Sequence, residues 1–463
     1  MFPRVRIVPL LLAVLLLGTA AGLEAQFWAL DPGVREGDAG AGGPIDGLSL
    51  GELAFFVAGR EQFEEVQSVQ GTLTPQGMIP DPGTPPGTDP GLGPRFNLDS
   101  CGGCHAQPAT GGTSPSVNPQ VAVANLAGAT NRIPFFVKPN GPVREARFQF
   151  KPDGTRDGGV HNLFTISGRL DAPGCNISQP DFDLAAAQYN LIFRIPSPVF
   201  GAGLIEAIPD ATIIENKNAN YYWKLALGIS GRENRSGNGG TITRFGWKAQ
   251  NKSLEIFAGE AYNVEQGVTN DLFPQERDET PSCRFNNATP ESRADLETGE
   301  LSDVTLFAVF MRFLAPPTPA APTSAAEADS IARGRAKFES IGCALCHTPS
   351  LQTGKSASPA LSGKDVNLFS DLLLHNMGPG LADDILQGNA RGDEFRTAPL
   401  WGLGKRIFFL HDGRTTDLRQ AIMAHKSWGN FYFRSSEANV VIERFDALGG
   451  ADTQDIFNFL RSL

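Results

Sequence analysis

The chain has 463 residues, 41% of them hydrophobic and 19% charged, which is enough for two or three domains with separate cores and leaves disorder only local. Its formal net charge of −11, with no run of Lys and Arg, excludes a nucleic-acid-binding protein, because phosphate binding needs a basic face.

The chain opens MFPRVRIVPLLLAVLLLGTAAGLEAQFWA. Arg4 and Arg6 precede an apolar run from Ile7 to about Leu17, and small residues follow to Ala25, the layout of a cleaved secretory signal over residues 1–25. That run is short for a bilayer span, and no later segment is apolar enough to be one. An exported, periplasmic, bacterial protein without a membrane span after cleavage is therefore expected.

A Gly-rich lead-in gives way to LSLGELAFFVAGREQFEEVQSV, where Leu53, Phe56, Gly59 and Phe63 recur at helical spacing and predict an amphipathic helix. PQGMIPDPGTPPGTDPGLGP is too rich in Pro and Gly for regular structure and reads as an exposed loop. A Cys-x-x-Cys-His motif follows, Cys101, Cys104 and His105, within residues 26–130. The middle region, 131–315, mixes short strand-like and helical stretches. NKSLEIFAGEAYNVEQ and DVTLFAVFMRFL are its clearest helices, the second stopped by Pro316 and Pro317. APPTPAAPTSAAEAD marks a linker over 316–328. Beyond it, over 329–463, SIARGRAKFESIGCALCH predicts a helix leading straight into a second motif, Cys343, Cys346 and His347.

In Cys-x-x-Cys-His the two thiols add across haem vinyl groups and the adjoining His falls on the iron. Zinc would need four ligands per site and would leave the paired His residues to coincidence. A redox dithiol needs a βαβ context that the helix before Cys343 does not offer. Two covalent c-type haems are expected, with His105 and His347 as iron ligands. The remaining cysteines, Cys175 and Cys283, are either a disulfide, as an oxidising compartment favours, or two buried thiols.

A carrier fills both axial positions of its iron, whereas a catalyst leaves one open. The candidates are His161, His375, His411 and His425, with Met78, Met311, Met377 and Met423. Asp417 is a good N-cap for a helix beginning at Leu418, and Leu418, Ile422 and His425 then share one face. His425 is the expected second ligand of the second haem, and Met423, off that face, is the weaker candidate.

GPRFNLDSCGGCHAQP, DGGVHNLFTISGR, FGWKAQ, DLLLHNMGPGLAD, FRTAPLWGLG and FLHDGR together resemble the di-haem oxidoreductase family, which is similar to bacterial di-haem cytochrome c peroxidases and to MauG. The resemblance runs from about residue 48 to the C-terminus. It implies a mainly α fold: two cytochrome c-like haem domains around a mixed α/β middle of short strands and long loops. It also implies a peroxidatic N-terminal haem and an electron-transferring C-terminal haem. In the relatives the helix after HDG supplies a Met or Tyr ligand to the second haem, and His425 stands at that position here. The resemblance places an acid/base residue between the first motif and the linker. His161 is expected to face the first iron with Glu145 behind it, or His161 to be that iron's displaceable ligand. His375 and His411 are expected at the rim of a haem pocket, and Arg414 on a haem propionate. The relatives bridge their haems with a Trp, and none occurs between Cys101 and Tyr222, so the relay is expected to be absent or built differently.

Peroxide reduction, with electrons from a small cytochrome or cupredoxin, is thus the leading expectation. A non-catalytic di-haem electron carrier and a MauG-like or oxygenase oxidation of an organic substrate are the rivals. Nothing in the sequence points to a calcium site.

Overall fold

The computed structural model describes residues 29–286, 290–295 and 297–463, so the expected signal segment, 1–25, lies outside the described residues. Helices dominate, and every strand is two to four residues long.

The molecule repeats one plan. Ser49 caps the helix Leu50–Glu64 through a capping box with Glu52, and this helix precedes the first Cys motif. Ser324 caps the helix Ala325–Ile341, whose end is closed by Gly342 at φ 108°, just before Cys343. The cap at Ser324 shortens the expected linker, since residues 325–328 are already helical. Each of these helices crosses a later helix through a glycine. Gly59 lies where a Cβ would collide with the Leu306 carbonyl of helix Asp303–Phe313. Gly334 lies where a Cβ would collide with the Asp455 carbonyl of helix Gly450–Ser462. Any side chain at either position would push the paired helices apart.

Each crossing has its own core. Phe56, Phe63, Phe307, Phe310 and Met311 are buried together at the first. Phe338, Ile456, Phe457, Phe459 and Leu460 are buried together at the second. Fully burying one such side chain contributes about 1.5–3 kcal/mol.

Between the motifs lies a three-stranded antiparallel sheet in the order Val160–His161, Glu145–Phe148, Leu191–Arg194. Its apolar side joins a third core, which also contains the disulfide Cys175–Cys283 with Cα atoms 4.6 Å apart. The hairpin Leu374–Asn376 with Glu394–Arg396 supports the C-terminal half. The Pro/Gly-rich stretch before Cys101 has no helix, but its end is not exposed. Thr88 and Leu92 are buried, and the Thr88 hydroxyl donates to the Leu73 carbonyl at 2.6 Å. Among the described residues no helix is long and apolar enough to cross a membrane.

Candidate functional site

Two cavities open beside the two motifs. The first is lined by Cys101, Cys104 and His105. The His105 Nδ1–H donates to the Gly112 carbonyl at 2.9 Å, because a carbonyl can only accept; this leaves Nε2 as a free lone pair. Burial lowers the His105 pKa to about 4, so the ring is neutral and ready to ligate.

The strand register decides what else faces this cavity. Alternation puts Glu145 and Arg147 on one side of their strand, with Ala146 and Phe148 on the other. Arg194 sits opposite Glu145 in the neighbouring strand, so all three polar side chains line the cavity. Glu265 reaches in from the π-turn Tyr262–Gln266 that ends helix Leu254–Ala261, the kind of irregular turn frequent at functional sites. Glu145 is ion-paired with Arg147 and shares a hydrogen bond with Glu265. Burial would raise the Glu145 pKa, but Arg147, the Glu265 bond and Arg194 hold it below the usual carboxylate range. Burial and the Glu145 charge push Glu265 well above that range. The pair therefore carries one proton, with Glu265 the acid and Glu145 the base.

The second cavity is lined by Cys343, Cys346 and four imidazoles: His347, His375, His411 and His425. Asp417 accepts from the Gln420 N–H and starts the helix Leu418–Met423 as expected, and His425 stands just past its end. His347 Nδ1–H donates to the Phe369 carbonyl at 3.0 Å, and His425 Nδ1–H to the Ala421 carbonyl at 2.9 Å. Burial lowers both pKa values, His347 to about 4, so two neutral rings offer Nε2 to one cavity. His375 differs, since both its nitrogens donate to carboxylates, Asp371 and Glu437, each at 2.9 Å. Burial opposes its charge and Asp371 favours it, and with both nitrogens bonded to carboxylates His375 has no free lone pair to offer an iron. His411 stacks on Phe395 at 4.3 Å, and burial lowers its pKa to about 4. His375 and His411 thus line the second cavity from buried positions rather than from its rim.

Two sequence-based expectations are corrected. His161 does not line the first cavity. It pairs with Ala146 across the sheet, which puts it on the Phe148 side, away from Glu145. There it stacks on Phe148 at 3.7 Å while Nε2 donates to Asp157 at 2.9 Å. Arg414 is exposed and bonded to Asp412 and the Gly380 carbonyl, and lines neither cavity. The interval from Cys101 to Tyr222 holds no Trp, and a Trp from later in the chain stands beside both cavities. Trp247 lines both cavities, fixed by its indole N–H on the Ile195 carbonyl at 2.9 Å.

The residues fit a haem in each cavity. Burial pushes the Cys101 and Cys343 thiols up to about 12, so neither carries a charge as a free thiol. A haem brings two propionates, and each cavity is lined by at least one arginine that makes no salt bridge among the described residues. Arg144 lines the first cavity with a buried Nε that has no partner. Arg396 and Arg406 line the second, without a salt bridge among the described residues, and burial lowers each to about 10. Sequence reasoning missed Glu265, Arg144, Arg396 and Arg406, although FRTAPLWGLG contains Arg396.

Solved structures with partial likeness include the diheme peroxidase BthA from Burkholderia thailandensis E264, 17% identical over 48% of this chain and 65% of that one, TM-score 0.30. A MauG-like protein associated with microbial copper homeostasis is 16% identical over 58% of this chain and 90% of that one, TM-score 0.30. Kuenenia stuttgartiensis hydrazine synthase is 16% identical over 59% and 73%, TM-score 0.28. No curated protein matches the chain. Residues 146–463, more than half of the sequence, match the family described as "Di-haem oxidoreductase, putative peroxidase", so the chain belongs to the di-haem oxidoreductases.

Proposed function

We propose that this protein is an exported, periplasmic peroxidase, which reduces hydrogen peroxide in the first cavity with electrons that arrive through the second. Each half of the repeated plan would then be one cytochrome c-like haem domain. Cys101, Cys104 and His105 would hold the first haem and Arg144 its propionate. Cys343, Cys346, His347 and His425 would hold the second, with Arg396 and Arg406 on its propionates.

The observation that carries the reading is an asymmetry. The second cavity offers two neutral imidazoles with free Nε2 atoms, enough to close both faces of an iron. The first offers one imidazole and, instead of a second, a carboxyl pair holding a single proton. Met311 also lines the first cavity, from the core that it shares with Phe63 and Phe307.

A haem bound in the first cavity supplies the electrons and Lewis acidity for cleaving the O–O bond. Glu145 takes the proton from one peroxide oxygen, and Glu265 delivers its own to the departing one, so that water leaves. Such acid–base help contributes about 10²–10⁴ in rate. Arg147 and Arg194 keep Glu145 ionised between turnovers. Trp247 joins the two cavities as the electron bridge. The donor is a small cytochrome or cupredoxin, and a net charge of −11 suits a basic one.

The test is to mix half-reduced holoprotein with peroxide and follow its haem bands. Rapid oxidation in the wild type and a slow response in Glu145→Gln are expected. Haem bands indifferent to peroxide would leave an electron carrier.

A further inference from the structure

Five tyrosines occur in the chain, and four of them are 59–91% exposed: Tyr189, Tyr221, Tyr222 and Tyr432. Tyr262 is 2% exposed. It opens the π-turn that carries Glu265, and its hydroxyl donates to Asp303 Oδ2 at 3.0 Å. A buried phenol with a carboxylate at hydrogen-bond distance can lose an electron and a proton together without leaving a charge on itself. That matters in a core, where an isolated cation is costly.

A line of rings also connects Tyr262 to the first motif. Its ring meets Phe307 edge-on at 5.0 Å, Phe307 meets Phe63 at 6.1 Å, and Phe63 meets His105 at 5.8 Å. Cys101 packs against the same core, and its Sγ lies 3.7 Å from Gln266, on the same turn as Tyr262. Trp247 stands on the other route, between the cavities.

We propose that Tyr262 is a one-electron reservoir for the first cavity, with Asp303 as its proton acceptor. This rests on the peroxide reading above. Peroxide removes two electrons from the first haem site, and the second cavity returns them one at a time. When an electron is late, Tyr262 supplies it. The phenol O–H bond breaks, the electron passes to the haem site, and the proton moves to Asp303 Oδ2, leaving a neutral phenoxyl radical and a carboxylic acid. An electron from the donor protein and return of the proton restore both groups. Burial pushes the Asp303 carboxyl pKa upward, which eases that acceptance.

The experiment is freeze-quench EPR of the fully oxidised holoprotein mixed with hydrogen peroxide, with and without ring-deuterated tyrosine. An organic-radical signal that narrows on deuteration is expected. It should be lost in Tyr262→Phe, which keeps the ring packing, and reduced in Asp303→Asn, with haem content and resting optical spectra unchanged. A signal that ignores both the isotope and Tyr262→Phe overturns the proposal, as do haem bands that respond to peroxide without any tyrosyl signal. Haem bands that do not respond at all overturn the peroxide reading and this proposal together.

Discussion

The two halves of the molecule start from the same pieces and end in different site chemistry. Each has a capped helix, a glycine crossing, a Cys-x-x-Cys-His turn and an imidazole whose Nδ1 is tied to a carbonyl. Around the second motif the chain adds imidazoles and arginines, and around the first it adds two carboxyls among arginines. The shared plan makes a place for a haem. On the proposed reading, the added side chains decide whether that haem relays electrons or handles protons.

The comparison breaks most visibly at the carboxyl pair. Glu145→Gln and Glu265→Gln should each lower peroxide turnover by about 10²–10⁴, with haem content intact, as steady-state assays would show. The pH profile sharpens the same point. Glu145 is held below the usual carboxylate range, so activity should fall only once pH drops beneath that range and the base is protonated. Glu265 is held well above it, so activity should persist at neutral pH and decline on the alkaline side as the acid loses its proton. Exchanging these two limbs would contradict the assigned roles.

On the other side, His425→Gly should open the second iron, converting its low-spin optical and EPR signature to high-spin, and added imidazole should restore it. An unchanged second haem would remove His425 from the ligand set. Trp247→Phe should slow electron transfer between the sites about tenfold, or about 1.4 kcal/mol of barrier, in single-turnover kinetics while leaving both spectra unaltered. Replacing both Cys175 and Cys283 by Ser should cost about 2–4 kcal/mol in chemical denaturation, since the bridge spans 108 residues. Neither cavity includes that bridge, so the haem spectra should not move.

These effects also mark what the sequence makes legible. The motifs are readable because thioether attachment needs contiguous residues. The helix start at Asp417 and the placement of His425 are readable because capping and helical periodicity are local. His161 is misplaced by sequence reasoning because strand parity is set by pairing with Ala146, a partner that no local pattern reveals. Glu265 is hidden because an acid in NVEQGV resembles any solvated helix end until the π-turn rotates it inward. Arg396 comes from a stretch singled out by resemblance and Arg406 lies just beyond it, but only folding shows that they line the second cavity without a salt bridge among the described residues. The smallest expected effect follows from the same correction. His161→Ala should lose the Phe148 stack at a cost of about 1 kcal/mol and leave peroxide turnover unchanged in the same steady-state assay.

The central claim is that one iron is open and the other closed. EPR of the fully oxidised holoprotein tests it most directly. The account predicts one high-spin ferric signal, from the haem on His105, beside one low-spin signal of bis-imidazole type. Two low-spin signals that persist after half-reduction would contradict it.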